Sequence, residues 1–140
     1  MQSILRNIFA VVLGVAIGGV INMALVNLGP MIIPPPPGVD INNVESINES
    51  IHLYQPKHYL IPFLAHALGA LVGAMVAFMA AGTRRVICAY IVGGLFLLGG
   101  ITAATMISAP VWFVMLDLGV AYIPMAWLGA RIGKRFISSA

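Results

Sequence analysis

Four long apolar segments occupy most of this sequence, and they restrict its fold more than any other feature. They cover residues 5–28, 59–81, 86–107 and 110–132. A helix needs roughly 20 apolar residues to cross a bilayer core about 30 Å thick, and each segment reaches that length. The sequence therefore predicts an all-α integral membrane protein, with four transmembrane helices in an antiparallel bundle that forms one domain over residues 1–140.

The composition agrees with a membrane protein and argues against a soluble one. Hydrophobic residues make up 61% of the chain and charged residues only 8%, a balance that would leave an ordinary globular surface insoluble. The formal net charge is +3, but the basic residues lie at segment ends and form no surface interleaved with aromatic residues. The lipid bilayer is thus the expected partner, and nucleic acid is not.

The distribution of basic residues predicts the orientation of the chain. Positive residues are enriched in cytoplasmic loops, and here all but Lys57 belong to one side of the predicted bundle. Both termini are therefore expected in the cytoplasm, and the long connection over residues 29–58 is expected outside. The residues on the basic side are Arg6, Arg84, Arg85, Arg131, Lys134 and Arg135.

Small residues recur at helical spacing in every span. A four-residue interval keeps them on one helix face, where they let two backbones approach closely. This predicts tight packing within the bundle and also contacts with further copies or with a partner membrane subunit. The residues are Gly14 and Gly18; Ala65, Gly69 and Gly73; Gly93, Gly94, Gly99 and Gly100; and Gly129 and Gly133.

The fourth span carries two further features. Pro124 predicts a kink, because proline removes a backbone donor and clashes with the preceding turn. Trp112 and Trp127 lie near the two ends of the span, as interfacial anchors do, and Tyr122 is interpreted as part of the same structural set.

The connection over residues 29–58, which we call the outer connection, contains a segment with helical periodicity. Asn42 and Glu45 resemble a capping box, and residues 43–54 then predict a short amphipathic helix. Its apolar face gathers Val44, Ile47, Ile51 and Tyr54. This face is expected to rest on the mouth of the bundle.

The opposite face of that helix is polar and has two interpretations. Carboxylates and imidazoles one turn apart can hold a divalent metal, and the candidate ligands are Glu45, Glu49, His52 and His58. The sequence favours a solvated face instead, because acids and histidines are common on exposed helices and a metal site needs a converging ligand set. No other cofactor is predicted.

Three polar residues inside the spans lie at a similar depth. Asn22, His66 and Asp117 are six or seven residues from the outer ends of their segments, or roughly 9 to 11 Å at a rise of 1.5 Å per residue. Thr102 and Thr105 reach a similar depth and are expected to face inward with them. A lone acid in hydrocarbon costs on the order of several kcal/mol, so Asp117 should pair with His66.

This polar layer leads to three functional hypotheses. In the first, Asn22, His66, Asp117, Thr102 and Thr105 bind or transport a small solute, an ion or a proton. In the second, the layer only fixes helix register, and the protein is a noncatalytic accessory or scaffold subunit. A membrane metalloenzyme using the outer-helix ligands is the least favoured, because no motif supplies a nucleophile, a base or a complete metal set. A non-enzymatic role is therefore the stronger expectation.

Overall fold

The computed structural model describes residues 1–138 as helices joined by turns and loops. Six α-helices follow one another: α1 (Gln2–Leu28), α2 (Val44–Glu49), α3 (Leu60–Ala80), α4 (Arg85–Met106), α5 (Val111–Val120) and α6 (Ile123–Ser138). Short 3-10 turns lie at Gly29–Met31, Ile51–Leu53 and Pro56–Tyr59. The described part of the chain contains no β-strand, so the all-helical expectation is confirmed.

Four helical units are long and apolar enough to cross a membrane. They are Gln2–Met31, Pro56–Ala80, Arg85–Met106 and Val111–Ser138, with 30, 25, 22 and 28 residues. The fourth unit comprises α5 and α6, which are separated by a break at Ala121 and Tyr122. This break lies just before Pro124, where the sequence predicts a kink. Pro124 has no N–H with which to bond the carbonyl of Val120, so the helix cannot continue regularly through this turn.

The central helix of the bundle is α3, which packs against α1, α4 and α6. Its buried face consists largely of alanine and glycine, so neighbouring helices approach closely. The largest fully buried side chains in the described chain are Tyr122 and Val92. Large aliphatic residues instead cover the outside of the bundle; Val12 and Val20, for example, are 61% and 67% exposed. A hydrophobic exterior around a core of small residues is the arrangement expected for a lipid environment.

Glycines make the closest contacts between α1 and α3. A Cβ atom at Gly18 would meet the carbonyl oxygen of Gly69, and one at Gly14 would meet the carbonyl oxygen of Gly73. Rising residue numbers on α1 therefore face falling numbers on α3. Gly19, the next residue after Gly18, has nothing within 4 Å of the equivalent position. The stripe predicted from the sequence thus lies against a neighbouring backbone.

The two ends of the bundle differ in chemistry. One end carries Arg84 and Arg85 in and beside the turn between α3 and α4, and we call it the basic end. There Arg6 Nε donates a hydrogen bond to the carbonyl of Ala80 at 2.9 Å. Asn7 Oδ1 accepts hydrogen bonds from the amides of Gly82 and Thr83, both at 3.1 Å. These bonds tie the start of α1 to the turn. The opposite end carries residues 32–59, and we call it the loop end. These residues cover a cavity between α1, α3, α4 and α5.

The outer connection contains two short helical pieces instead of one continuous amphipathic helix over residues 43–54. The first is α2, and the second is the 3-10 turn at Ile51–Leu53. Asn43, and not Asn42, is the N-cap, because its side chain accepts from the amides of Glu45 and Ser46. Ser50 ends α2 and leaves the helical conformation, so the two pieces do not form one continuous helix.

Candidate ligand site beneath the outer connection

A buried carboxylate lies in the first part of the fourth helical unit, at its seventh residue. Asp117 is 5% exposed and projects from the last full turn of α5. Tyr122, just past the break, donates its hydroxyl hydrogen to Asp117 Oδ2 at 3.0 Å. In an uninterrupted helix, residues five apart point roughly 140° away from each other. The break before Pro124 is therefore what allows the Tyr122 side chain to return to Asp117.

His66 completes a three-residue cluster with Asp117 and Tyr122, which we call the acid triad. His66 Nδ1 lies 2.9 Å from Asp117 Oδ1 and 3.0 Å from Oδ2. We assign a hydrogen to Nδ1, because a carboxylate oxygen can only accept from it. The imidazole also stacks on the Tyr122 ring with a centroid separation of 5.7 Å. Two donors thus share the buried acid, which offsets much of the cost of removing it from water.

Gly100 of α4 makes room for the acid triad. A Cβ atom at this position would meet the hydroxyl group and ring of Tyr122. Gly100 is buried, whereas its neighbour Gly99 is exposed and has open space around it. A glycine at position 100 therefore leaves room for the Tyr122 ring beside the α4 backbone, where its hydroxyl reaches Asp117.

A cavity of about 320 Å³ extends from the acid triad toward the loop end. We call it the outer cavity. His66 and Asp117 form its floor, while Ile47, Ile51 and Tyr54 of the outer connection form its roof. Its walls are largely apolar, with side chains from α1, α3, α4 and α5. The size and polarity match pockets that enclose small organic ligands and orient them by a few polar groups.

Asn48 fixes the roof to the bundle. Its Nδ2 donates to the carbonyl of Met106 at 2.9 Å, and its Oδ1 accepts from the amide of Ser108 at 2.8 Å. Met106 is the last residue of α4, and Ser108 belongs to the turn between α4 and α5. The Asn48 side chain therefore gives the last carbonyl of α4 a hydrogen-bond donor and holds α2 above the outer cavity.

An aromatic cluster closes one side of the outer cavity. Tyr59 lies between Tyr54, Trp112 and Phe113, with ring centroids 4.8 to 5.8 Å apart. Burial raises the pKa of the Tyr54 hydroxyl above its usual value. The Tyr59 hydroxyl is buried, and it has no hydrogen-bond partner within residues 1–138. An unpaired buried hydroxyl costs about 1 to 3 kcal/mol, which a bound polar group could recover.

A second cavity of about 350 Å³ lies on the α1 side of the acid triad. It is lined by Asn22 together with Phe96 and Gly99, and it shares His66 and Gly100 with the outer cavity. His66 therefore separates two spaces. The structure places Asn22 near this imidazole, but between residues 1 and 138 no hydrogen bond joins Asn22 to His66 or Asp117.

The two threonines do not join the polar layer. Thr102 and Thr105 are exposed on α4, whereas they were expected to face inward. The Thr102 hydroxyl donates to the carbonyl of Leu98 at 2.9 Å, and that of Thr105 donates to the carbonyl of Thr102 at 2.7 Å. A threonine that bonds its own helix backbone has no unsatisfied hydroxyl and can face lipid.

The candidate metal ligands of the outer connection remain apart. Glu45, Glu49 and His52 are exposed, while His58 Nδ1 accepts a hydrogen bond from the amide of Gln55 at 2.8 Å. Across the described chain, no group of three His, Cys, Asp or Glu side chains could hold a metal ion. His58 instead caps the 3-10 turn that leads into α3.

Three residues of this site were not identified as functional from the sequence. Tyr122 was interpreted as part of a structural aromatic set, and Tyr59 and Asn48 were not assigned a role in the cavity. The signal for Tyr122 was Pro124 two residues later, because a break at that point cancels the helical phase that separates positions 117 and 122.

Comparisons with protein-family models, with curated proteins and with solved structures find no match to this chain. The class that the fold defines is a small all-helical protein with four candidate membrane spans.

Proposed function

We propose that this protein binds a small, mostly apolar solute in the outer cavity and exchanges a proton or hydrogen bond with it through His66. The observation that supports this most strongly is the pairing of His66 with the buried carboxylate of Asp117 on the floor of a largely apolar cavity of ligand size. If His66 and Asp117 only fixed the register of the helices, no cavity would be needed beside them. An intramembrane acid that faces a cavity is, by default, a candidate functional group.

The polar groups suggest how the solute would be held. When the Nδ1–H group of His66 donates its hydrogen bond to Asp117, Nε2 of the neutral imidazole remains free to accept a hydrogen bond. A protonated His66 offers Nε2–H as a second donor. The sequence places all seven Lys and Arg residues outside this region, so His66 is the natural counter-charge of Asp117. The pair can therefore take up or release one proton in response to a bound group. The apolar walls favour an organic solute over a bare ion, whose lost hydration they could not replace.

Binding can be tested with three molecules of the same shape in lipid nanodiscs. The probes are 4-ethylphenol, 4-ethylpyridine and ethylbenzene, and affinity is measured by saturation-transfer NMR. We expect at least one polar probe to bind about tenfold more tightly than ethylbenzene, a difference of about 1.4 kcal/mol. Ala104→Phe should abolish this binding, because Ala104 lines the outer cavity.

The matched control is Ala24→Phe, which adds the same ring at an exposed position of α1. This variant should bind the probes as the parent protein does. Binding that persists unchanged in Ala104→Phe, or a parent protein that binds neither polar probe better than ethylbenzene, would count against a solute site in the outer cavity.

We also propose that the four units form an antiparallel bundle across a membrane, with both termini cytoplasmic and residues 29–58 outside. The support is the positive charge gathered at the basic end. Asn42→Cys and Ser138→Cys occupy exposed positions at opposite ends, while the native Cys88 is buried. In intact cells an impermeant maleimide should label Asn42→Cys only. Labelling of Ser138→Cys without permeabilisation would contradict the proposed orientation, because it would place the end of α6 outside the cell.

A noncatalytic accessory subunit is the second candidate. Gly19, Gly94 and Gly99 have open space around them, so another helix could approach the backbone there. On this account the acid triad only stabilises the bundle. Loss of charge at Asp117 separates the two candidates. It should weaken binding of a polar solute if the outer cavity is a solute site, and it should change only the stability of the bundle if the acid triad is structural.

A further inference from the structure

A groove of about 570 Å³ lies at the basic end of the bundle, far from the outer cavity. It runs between the turn that begins α4 and the last turns of α6. Arg84, Arg85 and Lys134 line it. Arg84 holds a left-handed backbone conformation with φ of 47°, so the chain turns sharply as it enters α4.

The three cations have no acidic side chain to neutralise them. The sequence has four acids: Asp40, Glu45 and Glu49 belong to the outer connection, and Asp117 bonds to His66. Throughout residues 1–138, Arg84, Arg85 and Lys134 form no ion pair. Like charges in one groove repel each other, and a bound anion would relieve that repulsion.

Apart from Thr83 and Ser138, the other residues that line the groove are apolar. Val86, Ile87 and Ile137 are 51%, 52% and 37% exposed, and they adjoin the three cations. A free anion such as phosphate would gain nothing from these side chains. A phospholipid would use both parts, because its phosphate can meet the cations while an acyl chain lies along the apolar surface.

We infer that this groove binds the phosphate headgroup of an anionic phospholipid, with an acyl chain against Val86 and Ile87. Basic pockets between transmembrane helices are suited to such headgroups. Arginine can bond phosphate oxygens through two N–H groups, and lysine adds a compact charge. This site is independent of the outer cavity and of the solute proposed there.

Native mass spectrometry of the full-length protein can test this inference. The protein is titrated with phosphatidylglycerol or phosphatidylcholine of identical acyl chains. We expect at least tenfold tighter binding of one phosphatidylglycerol, and the double variant Arg85→Gln/Lys134→Gln should lose this preference. A parent protein with no preference, or a double variant that keeps it, would overturn the inference.

Two single variants separate the groove from overall charge. Lys134→Gln and Lys57→Gln each lower the net charge by one, but Lys57 lies at the loop end. Lys134→Gln should weaken phosphatidylglycerol binding several-fold, whereas Lys57→Gln should leave it unchanged; equal effects would indicate nonspecific attraction and overturn the inference. Inorganic phosphate should not displace the lipid at equal concentration, and displacement would mean that the groove selects the phosphate alone.

Discussion

Gly18→Leu is expected to prevent the helices of the bundle from assembling. A side chain at position 18 would project into the carbonyl oxygen of Gly69, and its Cβ would also come within 2.9 Å of Phe96 Cζ. Overpacking usually costs about 1 to 3 kcal/mol when side chains can move aside. Here the main obstacle is backbone, so we expect the upper end of that range or more. Thermal unfolding in nanodiscs, together with size-exclusion chromatography, measures the effect.

The adjacent glycine provides the control. Gly19→Leu adds the same side chain to the same helix, but the space around Gly19 is open. Its stability should stay within about 0.5 kcal/mol of the parent protein, because a substitution that disturbs no packed contact usually has a small effect. Gly73→Leu should behave like Gly18→Leu, because a Cβ there lies 2.7 Å from the carbonyl oxygen of Gly14. If Gly18→Leu and Gly19→Leu unfold at the same temperature, the contact between α1 and α3 is not as described.

The overall helical architecture could be predicted because lipid imposes simple rules on sequence. A helix that crosses a membrane must be long and apolar, because its backbone hydrogen bonds are made within the helix. The length and apolar composition of the four segments can be read without any knowledge of tertiary contacts. The finer packing was harder to predict. Gly93 and Gly100 pack against α6 and Tyr122, while Gly94 and Gly99 face open space. Spacing alone cannot tell which side of a glycine-rich helix meets a neighbour.

The polar layer could be predicted only in part. The cost of a lone acid indicated a partner for Asp117, and depth pointed to His66. The role of Tyr122 depends on the break before Pro124, which changes helical phase by an amount that sequence does not specify. Thr102 and Thr105 were placed inward because their depth matched, but a hydroxyl that bonds its own helix does not need a polar environment.

The outer connection shows a different limit. Ile47, Ile51 and Tyr54 line the outer cavity, whereas Val44, which the periodicity placed on the same face, does not. The break after α2 and the bonds from Asn48 to the end of α4 and the following turn could not be inferred, because they depend on contacts with residues about 60 positions away. Local periodicity carries no information about such distant partners.

Asp117→Asn is expected to weaken the binding of a polar solute while preserving the bundle. Asparagine has nearly the same shape, and its carbonyl oxygen can still accept the Tyr122 hydrogen bond. The fold should therefore lose no more than about 1 to 2 kcal/mol, as when a single buried hydrogen bond is weakened. The charge that stabilises a protonated His66 is lost, however. Proton exchange between the triad and a bound solute should fail with it.

The most direct test of the acid-triad account is the affinity of Asp117→Asn for the three ethyl-substituted probes, measured beside its thermal stability. The account predicts a loss of about tenfold or more for the polar probe that the parent protein prefers, with ethylbenzene binding unchanged and the bundle still folded. Retention of the parent's affinity for the polar probe, accompanied only by a lower unfolding temperature, would contradict it. The acid triad would then serve as a structural clasp.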